Sequence, residues 1–191
     1  MKILCLGDSN TWGYDPRSFY GSRYPADVRW TDQLGDSTVI NCGMNGLSIP
    51  QNALVYRDLI KSKSPDLTIV MLGSNDLLEG ASAAVTTERM NSFLMEIKAV
   101  TPAILLISPP SMRRGEWVQS EKLISESKKI GTMYRKLAES LEVLFADADE
   151  WQVDLSFDGV HFTEEGHASF AEGLKRTLRV FKSSPFDGCS K

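Results

Sequence analysis

The sequence contains few cysteines, no long hydrophobic run and no cluster of basic residues, and each absence excludes a class of protein. The three cysteines, Cys5, Cys42 and Cys189, cannot all pair with one another, and Cys5 falls in a predicted strand, so we expect no disulfide framework. No Cys-x-x-Cys or Cys/His spacing predicts a metal site. No stretch approaches the roughly 20 apolar residues of a membrane span, and the first residues lack the apolar core of a signal peptide. We therefore expect a reduced, cytoplasmic protein.

The charge balance argues against one further class, the general nucleic-acid binders. Lysine and arginine total 21 and aspartate and glutamate 25, so the formal net charge is -4, which we attribute to solubility. Apolar residues make up 42% and charged residues 24%, as is usual for a soluble globular protein. A chain of 191 residues suits one domain with a sizeable core. We predict a single domain over 1–182 and a C-terminal tail over 183–191.

Apolar segments alternate with helical patterns along the chain. The first segment, 2–6, is almost entirely apolar and suits a strand that is buried on both faces. Further strands are predicted over 38–40, 67–72, 103–107 and 142–146, and helices over 28–34, 50–61, 86–99, 118–140 and 163–181. Because right-handed crossovers join such strands, they form a parallel sheet with helices on both faces. The predicted fold is α/β, a three-layer α/β/α flavodoxin-like sandwich around a five-stranded parallel sheet.

Polar turns follow the first three predicted strands. Gly7-Asp8-Ser9-Asn10 follows the first strand, 41–46 the second and 73–76 the third. The carboxyl ends of parallel strands meet at one edge of an open sheet, which is where ligands bind. Ser9 at this edge has three candidate roles: a hydroxyl that holds a phosphate, the N-cap of a helix, or a nucleophile.

A nucleophilic serine needs a base, and the chain offers two histidines. His161 follows the fifth strand, three residues after Asp158, and Gly159 between them allows a tight turn. This spacing lets the Asp158 carboxylate bind one imidazole nitrogen while the other nitrogen faces Ser9. The alternative for His161 is a loop histidine that caps the last helix. For His167 we favour a structural role inside that helix.

Acyl transfer also needs hydrogen-bond donors directed at the developing oxyanion. Three candidates follow the strand ends: the Ser9 N–H, the Gly46 N–H and the side-chain amide of Asn75. Two of them have a simpler alternative, because Gly46 could only supply a turn and Asn75 could only cap the segment after it. Together with Asp158 and His161, in this order along the chain, the three form a specific constellation.

The segments that carry these residues resemble the four sequence blocks of the SGNH hydrolases, also called the GDSL family. The blocks fall at 7–10, 43–46, 73–76 and 158–161, and the match extends from residue 2 to about residue 180. The family name lists a catalytic serine, glycine, asparagine and histidine, which correspond here to Ser9, Gly46, Asn75 and His161. Asp158 matches the acid of the triad. The resemblance implies a serine ester hydrolase for a small-molecule ester, with neither a metal ion nor a cofactor.

Two positions depart from the family pattern. Asn10 stands where the family name has leucine, at a variable position whose neighbourhood shapes the pocket mouth. The second block contains both Gly43 and Gly46; we assign the oxyanion donor to Gly46 from its spacing in similar members, with Gly43 as the alternative. Asp8 is interpreted as a carboxylate that holds the turn, because Asp158 better suits the triad acid.

Residues 7–13 and 23–30 are also similar to the bacterial arylesterase and acyltransferase branch of this family. That resemblance implies cleavage of small acyl esters, often acetyl esters, and in some members transfer of the acyl group to alcohols. It also implies homo-oligomers whose contacts wall the active-site entrance, with Trp12 and the loop to Trp30 involved. Ordinary core packing is the alternative for both tryptophans.

Other functions stay open at this point. The same residues would serve a carbohydrate acetyl-esterase, a thioesterase or a lysophospholipase. From a different class, a non-enzymatic module could bind a phosphate ligand at 7–13. That turn lacks both the Gly-Lys-Ser/Thr of a P-loop and the GxGxxG of a dinucleotide site. The binding module would also leave Asp158 and His161 unexplained.

Overall fold

A five-stranded parallel sheet forms the centre of the molecule. The computed structural model describes residues 1–18 and 20–183. The strands are β1 (Lys2–Gly7), β2 (Thr38–Gly43), β3 (Leu67–Met71), β4 (Ile104–Ser108) and β5 (Leu144–Asp147). Neighbouring strands are parallel throughout, in the order β2-β1-β3-β4-β5. The predicted five-stranded parallel sheet is therefore confirmed.

Helices cover both faces of this sheet. They are α1 (Ser9–Trp12), α2 (Leu54–Lys63), α3 (Ser74–Leu78), α4 (Ala83–Lys98), α5 (Glu121–Leu141) and α6 (Glu164–Ser183), with 3₁₀ turns at Trp30–Gln33 and Ala148–Trp151. Leu4 and Leu6 of β1 belong to one apolar core with α2, α4 and α5, whereas Ile3 and Cys5 belong to the other with α6. Side chains alternate between the faces of a strand, so a strand buried on both faces is apolar throughout. The result is the predicted α/β/α sandwich.

The strand order places a switch point beside β1. The chain runs from β1 outward to β2 and then returns across β1 to β3, which lies on its other side. In open α/β sheets, ligands bind at the carboxyl ends of the strands where the order reverses in this way. Ser9 follows the carboxyl end of β1 directly, so the fold places this serine at that crevice.

Element boundaries differ from the prediction where local capping decides them. α2 begins at Leu54 rather than at residue 50, because the N–H of Leu54 donates to Asn52 Oδ1 (2.9 Å). β5 begins at Leu144 rather than at residue 142, because Glu142 (φ 52°) is the left-handed C-cap of α5. A cap residue cannot begin a strand at the same time.

Short helical segments replace three of the predicted elements. The turns predicted at 7–10 and 73–76 continue into α1 and α3, and the helix predicted over 28–34 is only a 3₁₀ turn. Gly73 (φ 124°) permits the sharp reversal from β3 into α3. These helices direct polar side chains to the carboxyl edge of the sheet.

The last helix begins as predicted. Gly166 donates its backbone N–H to Thr163 Oγ1 (3.0 Å), so Thr163 is the N-cap of α6 and Gly166 is its third residue. The helix extends to Ser183, two residues past the predicted end, and the rest of the predicted tail, from 184 onward, lies outside the described residues. No helix in the described part of the chain is both long and apolar enough to cross a membrane.

Candidate active site

The turn after β1 is held by the carboxylate of Asp8. Asp8 is the N-cap of α1, and its Oδ1 accepts the backbone N–H of Asn10 (3.0 Å). The side chain is buried, and burial raises the pKa of Asp8 to about 6. The predicted role of Asp8 as the residue that holds the turn is confirmed, and the turn places Ser9 as the first residue of α1.

Ser9, His161 and Asp158 form a continuous hydrogen-bonded chain. Ser9 Oγ lies 2.9 Å from His161 Nε2, and His161 Nδ1 lies 2.7 Å from Asp158 Oδ2. The other carboxylate oxygen, Asp158 Oδ1, accepts the N–H groups of Val160 (2.8 Å) and His161 (2.9 Å). The three predicted residues are 152 positions apart at most and meet at one edge of the sheet.

The surroundings of Asp158 determine which imidazole nitrogen carries the proton. Burial alone would raise the pKa of Asp158, but the hydrogen bonds from the His161 side chain and from the backbone N–H groups hold that pKa below its usual range. An ionised carboxylate only accepts hydrogen bonds, so His161 Nδ1 must be the donor. With Nδ1 bound to Asp158, the neutral form of His161 presents the Nε2 lone pair to the Ser9 hydroxyl, as a general base requires.

The alternative role considered for His161, a cap on the last helix, is excluded because Thr163 caps α6. His167, in contrast, lies inside α6 with its side chain buried and accepts the N–H of Trp30 at Nδ1 (3.4 Å). It packs against the rings of Tyr24 and Phe162. Burial lowers the pKa of His167 to about 4. This histidine has the structural role that the sequence favoured.

The candidate oxyanion donors follow three adjacent strands at one level of the sheet. Gly7 of β1 is paired with Gly43 of β2 and with Met71 of β3. Ser9, Gly46 and Asn75 follow these residues by two, three and four positions, respectively. The structure therefore brings all three to the same edge as His161 and Asp158.

Gly43 and Gly46 differ in the availability of their N–H groups. The Gly43 N–H donates to Asn41 Oδ1 (2.9 Å), and a side-chain carbon at Gly43 would collide with the backbone of Trp12. Gly46 (φ 71°) has open space around it, and within 1–18 and 20–183 no acceptor takes its N–H. Gly46 is thus the better donor to a bound substrate.

Asn75 lies within α3 and does not cap it, because the N-cap position belongs to Gly73. Its Nδ2 donates to Leu47 O (3.1 Å) in the loop that carries Gly46. A side-chain amide has two N–H donors, so one remains for a ligand while the other fixes the orientation of the group.

Asp76 connects the same loop to α4, a contact to which sequence reasoning assigned no role. Its buried carboxylate accepts the N–H of Ile49 (2.9 Å) at Oδ2 and pairs with Arg89 Nη1 (2.8 Å) at Oδ1. The only signal in the sequence was an acidic residue directly after Asn75. Nothing in the pattern of α4 indicated that Arg89 would meet it.

The loop between β4 and α5 packs against the segment that carries Asp158. Backbone N–H groups of Arg113, Glu116 and Trp117 donate to the carbonyls of Gly159, Phe157 and Asp158, at 3.0–3.1 Å. This ladder places the Trp117 ring edge-on to His161, with ring centroids 5.0 Å apart. Sequence reasoning missed the ladder because a structureless loop carries no periodic signal.

Two aromatic rings pack against His161, which is itself buried. The ring of Tyr14 lies with its centroid 4.6 Å from that of the imidazole. Trp117 is 51% exposed and Phe157 is 57% exposed, and backbone hydrogen bonds join the segments that carry them. Large apolar side chains are usually buried, so the exposed Trp117 ring beside His161 indicates a surface that contacts a ligand.

The expectation that Trp30 takes part in walling the entrance needs correction. Trp30 is fully buried in the core on the α6 side, so core packing describes it and it does not wall the entrance. Trp12 is partly buried beneath the guanidinium of Arg23, 5.3 Å from its ring centroid. Asn10, whose neighbourhood is expected to shape the pocket mouth, is itself 3% exposed, and its side chain bonds to backbone groups of Val160 and Phe162.

Within residues 1–18 and 20–183, no three or more His, Cys, Asp and Glu side chains gather in a way that would hold a metal ion. The groups of the candidate site lie on one edge of the sheet. A hydroxyl is bonded to an imidazole, the imidazole to a carboxylate, and N–H donors lie on the same edge. These are the parts needed for nucleophilic attack on a carbonyl.

Comparison with known proteins agrees with this geometry. The model of the GDSL-like Lipase/Acylhydrolase family matches residues 5–169. An arylesterase of Vibrio mimicus is 26% identical over 196 residues, which cover 93% of this chain and 88% of the relative.

Two solved structures are similar over nearly their whole length. The native aryl esterase of M. smegmatis is 28% identical with a TM-score of 0.82, covering 94% of this chain and 98% of its own. A carbohydrate acetylesterase family member from Sinorhizobium meliloti is 26% identical with a TM-score of 0.83, covering 94% and 97%. With all four sequence blocks on one sheet edge and the family model matching most of its length, the chain belongs to the GDSL-like lipase/acylhydrolase family and is a carboxylic ester hydrolase.

Proposed function

We propose that the protein cleaves small acyl esters, acetyl esters foremost, through an acyl-enzyme on Ser9. The observation that carries the proposal is the unbroken chain from Ser9 Oγ to His161 Nε2 and from His161 Nδ1 to Asp158 Oδ2, at 2.9 and 2.7 Å. In a serine esterase each of these bonds has a defined task.

In the proposed first half-reaction, Ser9 Oγ attacks the ester carbonyl while His161 Nε2 takes the hydroxyl proton. The negative charge that develops on the carbonyl oxygen is held by the N–H groups of Ser9 and Gly46 and by the Asn75 amide. His161 then gives its proton to the departing alcohol, and the acyl group stays on Ser9. Asp158 remains ionised and stabilises the imidazolium.

In the second half-reaction, a water molecule attacks the acyl carbonyl and gives its proton to His161. The bond from the acyl carbon to Ser9 Oγ then breaks, His161 returns the proton to Ser9, and the carboxylic acid leaves. An alcohol in place of water would yield a new ester, and we propose this acyl transfer as a side activity. The aromatic side chains of Tyr14, Trp117 and Phe157 support it, because an apolar entrance favours alcohols over water.

Ser9→Ala tests the mechanism, because the variant removes the nucleophile and keeps the fold. We expect hydrolysis of nitrophenyl acetate to fall by several orders of magnitude and a fluorophosphonate probe to label Ser9 in the wild type only. Near-normal hydrolysis by the variant would refute the acyl-enzyme on Ser9. A folded wild-type protein that takes no label would instead support a module that binds a phosphate ligand without catalysis.

A second candidate is a carbohydrate acetyl-esterase that uses the same residues. The similar structure from S. meliloti is described as a carbohydrate acetylesterase family member, and the exposed faces of Trp117 and Phe157 are suited to stack on a sugar ring. Nitrophenyl esters of increasing chain length, assayed beside acetylated sugars, separate the candidates. A preference for long acyl chains would favour a thioesterase or lysophospholipase.

We also propose that the protein is cytoplasmic and forms homo-oligomers. Cys5 and Cys42 are free thiols on opposite faces of the sheet, which suits a reducing compartment. A second copy that covers the exposed Met44, Trp117 and Phe157 would narrow the entrance. Light scattering of the purified protein at several concentrations measures the oligomeric state, and a monomer throughout would refute that part.

A further inference from the structure

Every backbone and side-chain polar group of Asn10 is engaged in a hydrogen bond. Its N–H donates to Asp8 Oδ1 (3.0 Å), and its carbonyl accepts the indole N–H of Trp30 (2.9 Å). Its side-chain Nδ2 donates to Val160 O (3.1 Å), while its Oδ1 accepts the N–H of Phe162 (3.0 Å). Only 3% of Asn10 is exposed, and both ends of its side-chain amide are bound to backbone groups, so the protein itself fixes the orientation of this side chain.

The two partners of the side chain are the immediate neighbours of His161. Asn10 itself directly follows Ser9, so this one side chain bridges two segments that are 150 or more positions apart in the chain. The Asn10 amide binds the residue before His161 and the residue after it. These two bonds fix the position and the rotation of the His161 backbone relative to the turn that carries Ser9. The imidazole between these two neighbours lies 2.9 Å from Ser9 Oγ.

The two hydrogen bonds of the Asn10 side chain require an amide group at this position. One end of the side chain meets a carbonyl oxygen and must donate, and the other end meets an N–H and must accept. Leucine, which the family name has at this position, could make neither bond. An ionised aspartate could accept from Phe162 but would oppose the Val160 carbonyl with a second oxygen.

We infer that Asn10 is a positioning residue that sets the geometry between Ser9 and His161. The inference rests on the proposed function, since it assigns Asn10 an effect on proton transfer from Ser9 and none on substrate binding. A displacement of reacting groups by about 1 Å can cost about a hundredfold in rate, so a bridge of this kind has a measurable effect.

Three variants test the inference: Asn10→Leu, Asn10→Asp and the control Thr68→Val. Thr68 is buried and shares a side-chain hydrogen bond of 2.8 Å with Thr101 at the opposite, amino-terminal edge of the sheet. Its substitution therefore also removes one buried hydrogen bond, but far from Ser9. Each variant is assayed for kcat and KM on nitrophenyl acetate and for the rate of fluorophosphonate labelling, with folding verified by circular dichroism.

We expect Asn10→Leu to lower kcat and the labelling rate at least about tenfold at every pH, with KM within about twofold of the wild type. For Asn10→Asp, we expect the ratio of its kcat to that of the wild type to rise as the pH falls. A protonated aspartic acid can donate to Val160 and accept from Phe162, as the amide does. The control variant, Thr68→Val, should keep the wild-type kcat and labelling rate, because the hydrogen bond that it removes lies far from Ser9.

Several results would overturn the inference. These are an unchanged kcat in folded Asn10→Leu, a loss that appears in KM alone, a pH-independent ratio for Asn10→Asp, or an equal loss of kcat in Thr68→Val. If Asn10→Leu does not fold, the pH dependence of the isosteric Asn10→Asp decides the question. A wild type without ester hydrolysis or labelling would refute the proposed function itself, whereas an active wild type with unimpaired Asn10 variants would refute only the role of Asn10.

Discussion

Asp76 and Arg89 form an ion pair at 2.8 Å in which the carboxylate is completely buried and the guanidinium is 35% exposed. The second oxygen of Asp76 holds the N–H of Ile49, so the pair connects α4 with the loop that carries Gly46. Asp76 also directly follows Asn75. This contact between α3 and α4 thereby stabilises the segments that carry two candidate oxyanion donors, Gly46 and Asn75.

Arg89→Met should destabilise the protein by about 3 kcal/mol, because it leaves a buried carboxylate without its cation. This is the lower end for a broken buried pair, since Arg89 is partly exposed. The free energy of unfolding in urea measures the loss. Arg114→Met is the matched control, since Arg114 pairs with Glu121 on the surface and should cost less than about 1 kcal/mol. Equal losses in the two variants would contradict the prediction.

In His167→Gln, the free energy of unfolding should fall less steeply than in the wild type as the pH is lowered. The pKa of His167 is lowered to about 4, below the 6.5 of the unfolded chain, so the unfolded state binds the proton more readily between these values. The stability that this group contributes is therefore present above pH 6.5 and is lost, by about 3 kcal/mol, as the pH falls through 4. Glutamine can still accept the Trp30 N–H without titrating.

The check is the difference in unfolding free energy between the wild type and His167→Gln, measured at several pH values from 7 to 4. Groups common to both proteins cancel in that difference. The advantage of the wild type should shrink steadily over this range, and a constant difference would mean that His167 does not titrate as its burial indicates.

For Asp8→Asn, the difference in unfolding free energy between the wild type and the variant should change with pH in the opposite direction to that for His167→Gln. The pKa of Asp8 is raised to about 6 by burial, above the 3.8 of the unfolded chain, so the folded state binds the proton more readily. Its contribution is present below pH 3.8 and is lost, by about 3 kcal/mol, as the pH rises through 6. The unfolding free energy of the wild type minus that of the variant should thus decrease from pH 4 to pH 7. An increase would contradict the assignment.

The sequence predicted that Ser9, His161 and Asp158 meet, because their positions depend on local rules. Ser9 follows a buried strand, and Asp158 lies three residues before His161, so a strand end and one tight turn suffice to place them. The same rule placed Gly46 and Asn75 at the edge. What escaped prediction are contacts that depend on where distant segments meet: Asn10 with Val160, Asp76 with Arg89, and Trp117 with His161.

Asn75→Ala should lower kcat by about 10²–10³-fold, because it removes one donor to the oxyanion. KM should change little, since this donor acts mainly on the transition state. Asn52→Ala is the control of the same residue type; Asn52 accepts the N–H of Leu54 at the start of α2 and lies outside the candidate site. The check is kcat and KM for nitrophenyl acetate, measured with substrate concentrations up to saturation. Wild-type kcat in Asn75→Ala would remove Asn75 from the oxyanion site.

Substitutions of the two exposed aromatic residues, Phe157 and Trp117, should affect kcat and KM differently. Phe157 is 57% exposed in the segment that precedes Asp158, and its truncation in Phe157→Ala removes exposed apolar surface from that segment. We expect a higher KM for nitrophenyl esters and an unchanged kcat, because such a contact binds substrate and transition state equally. Trp117 also packs edge-on against His161, 5.0 Å between centroids, so Trp117→Ala should raise KM and lower kcat together.

Trp117→Phe serves as the control for this last prediction, because it keeps an aromatic edge beside the imidazole. It should restore most of the kcat that Trp117→Ala loses, since the ring that confines His161 is again present. Hydrolysis of nitrophenyl acetate by the three variants and the wild type, fitted separately for kcat and KM, makes the comparison. If Phe157→Ala lowered kcat as much as Trp117→Ala does, contact with His161 would not be what distinguishes the two rings.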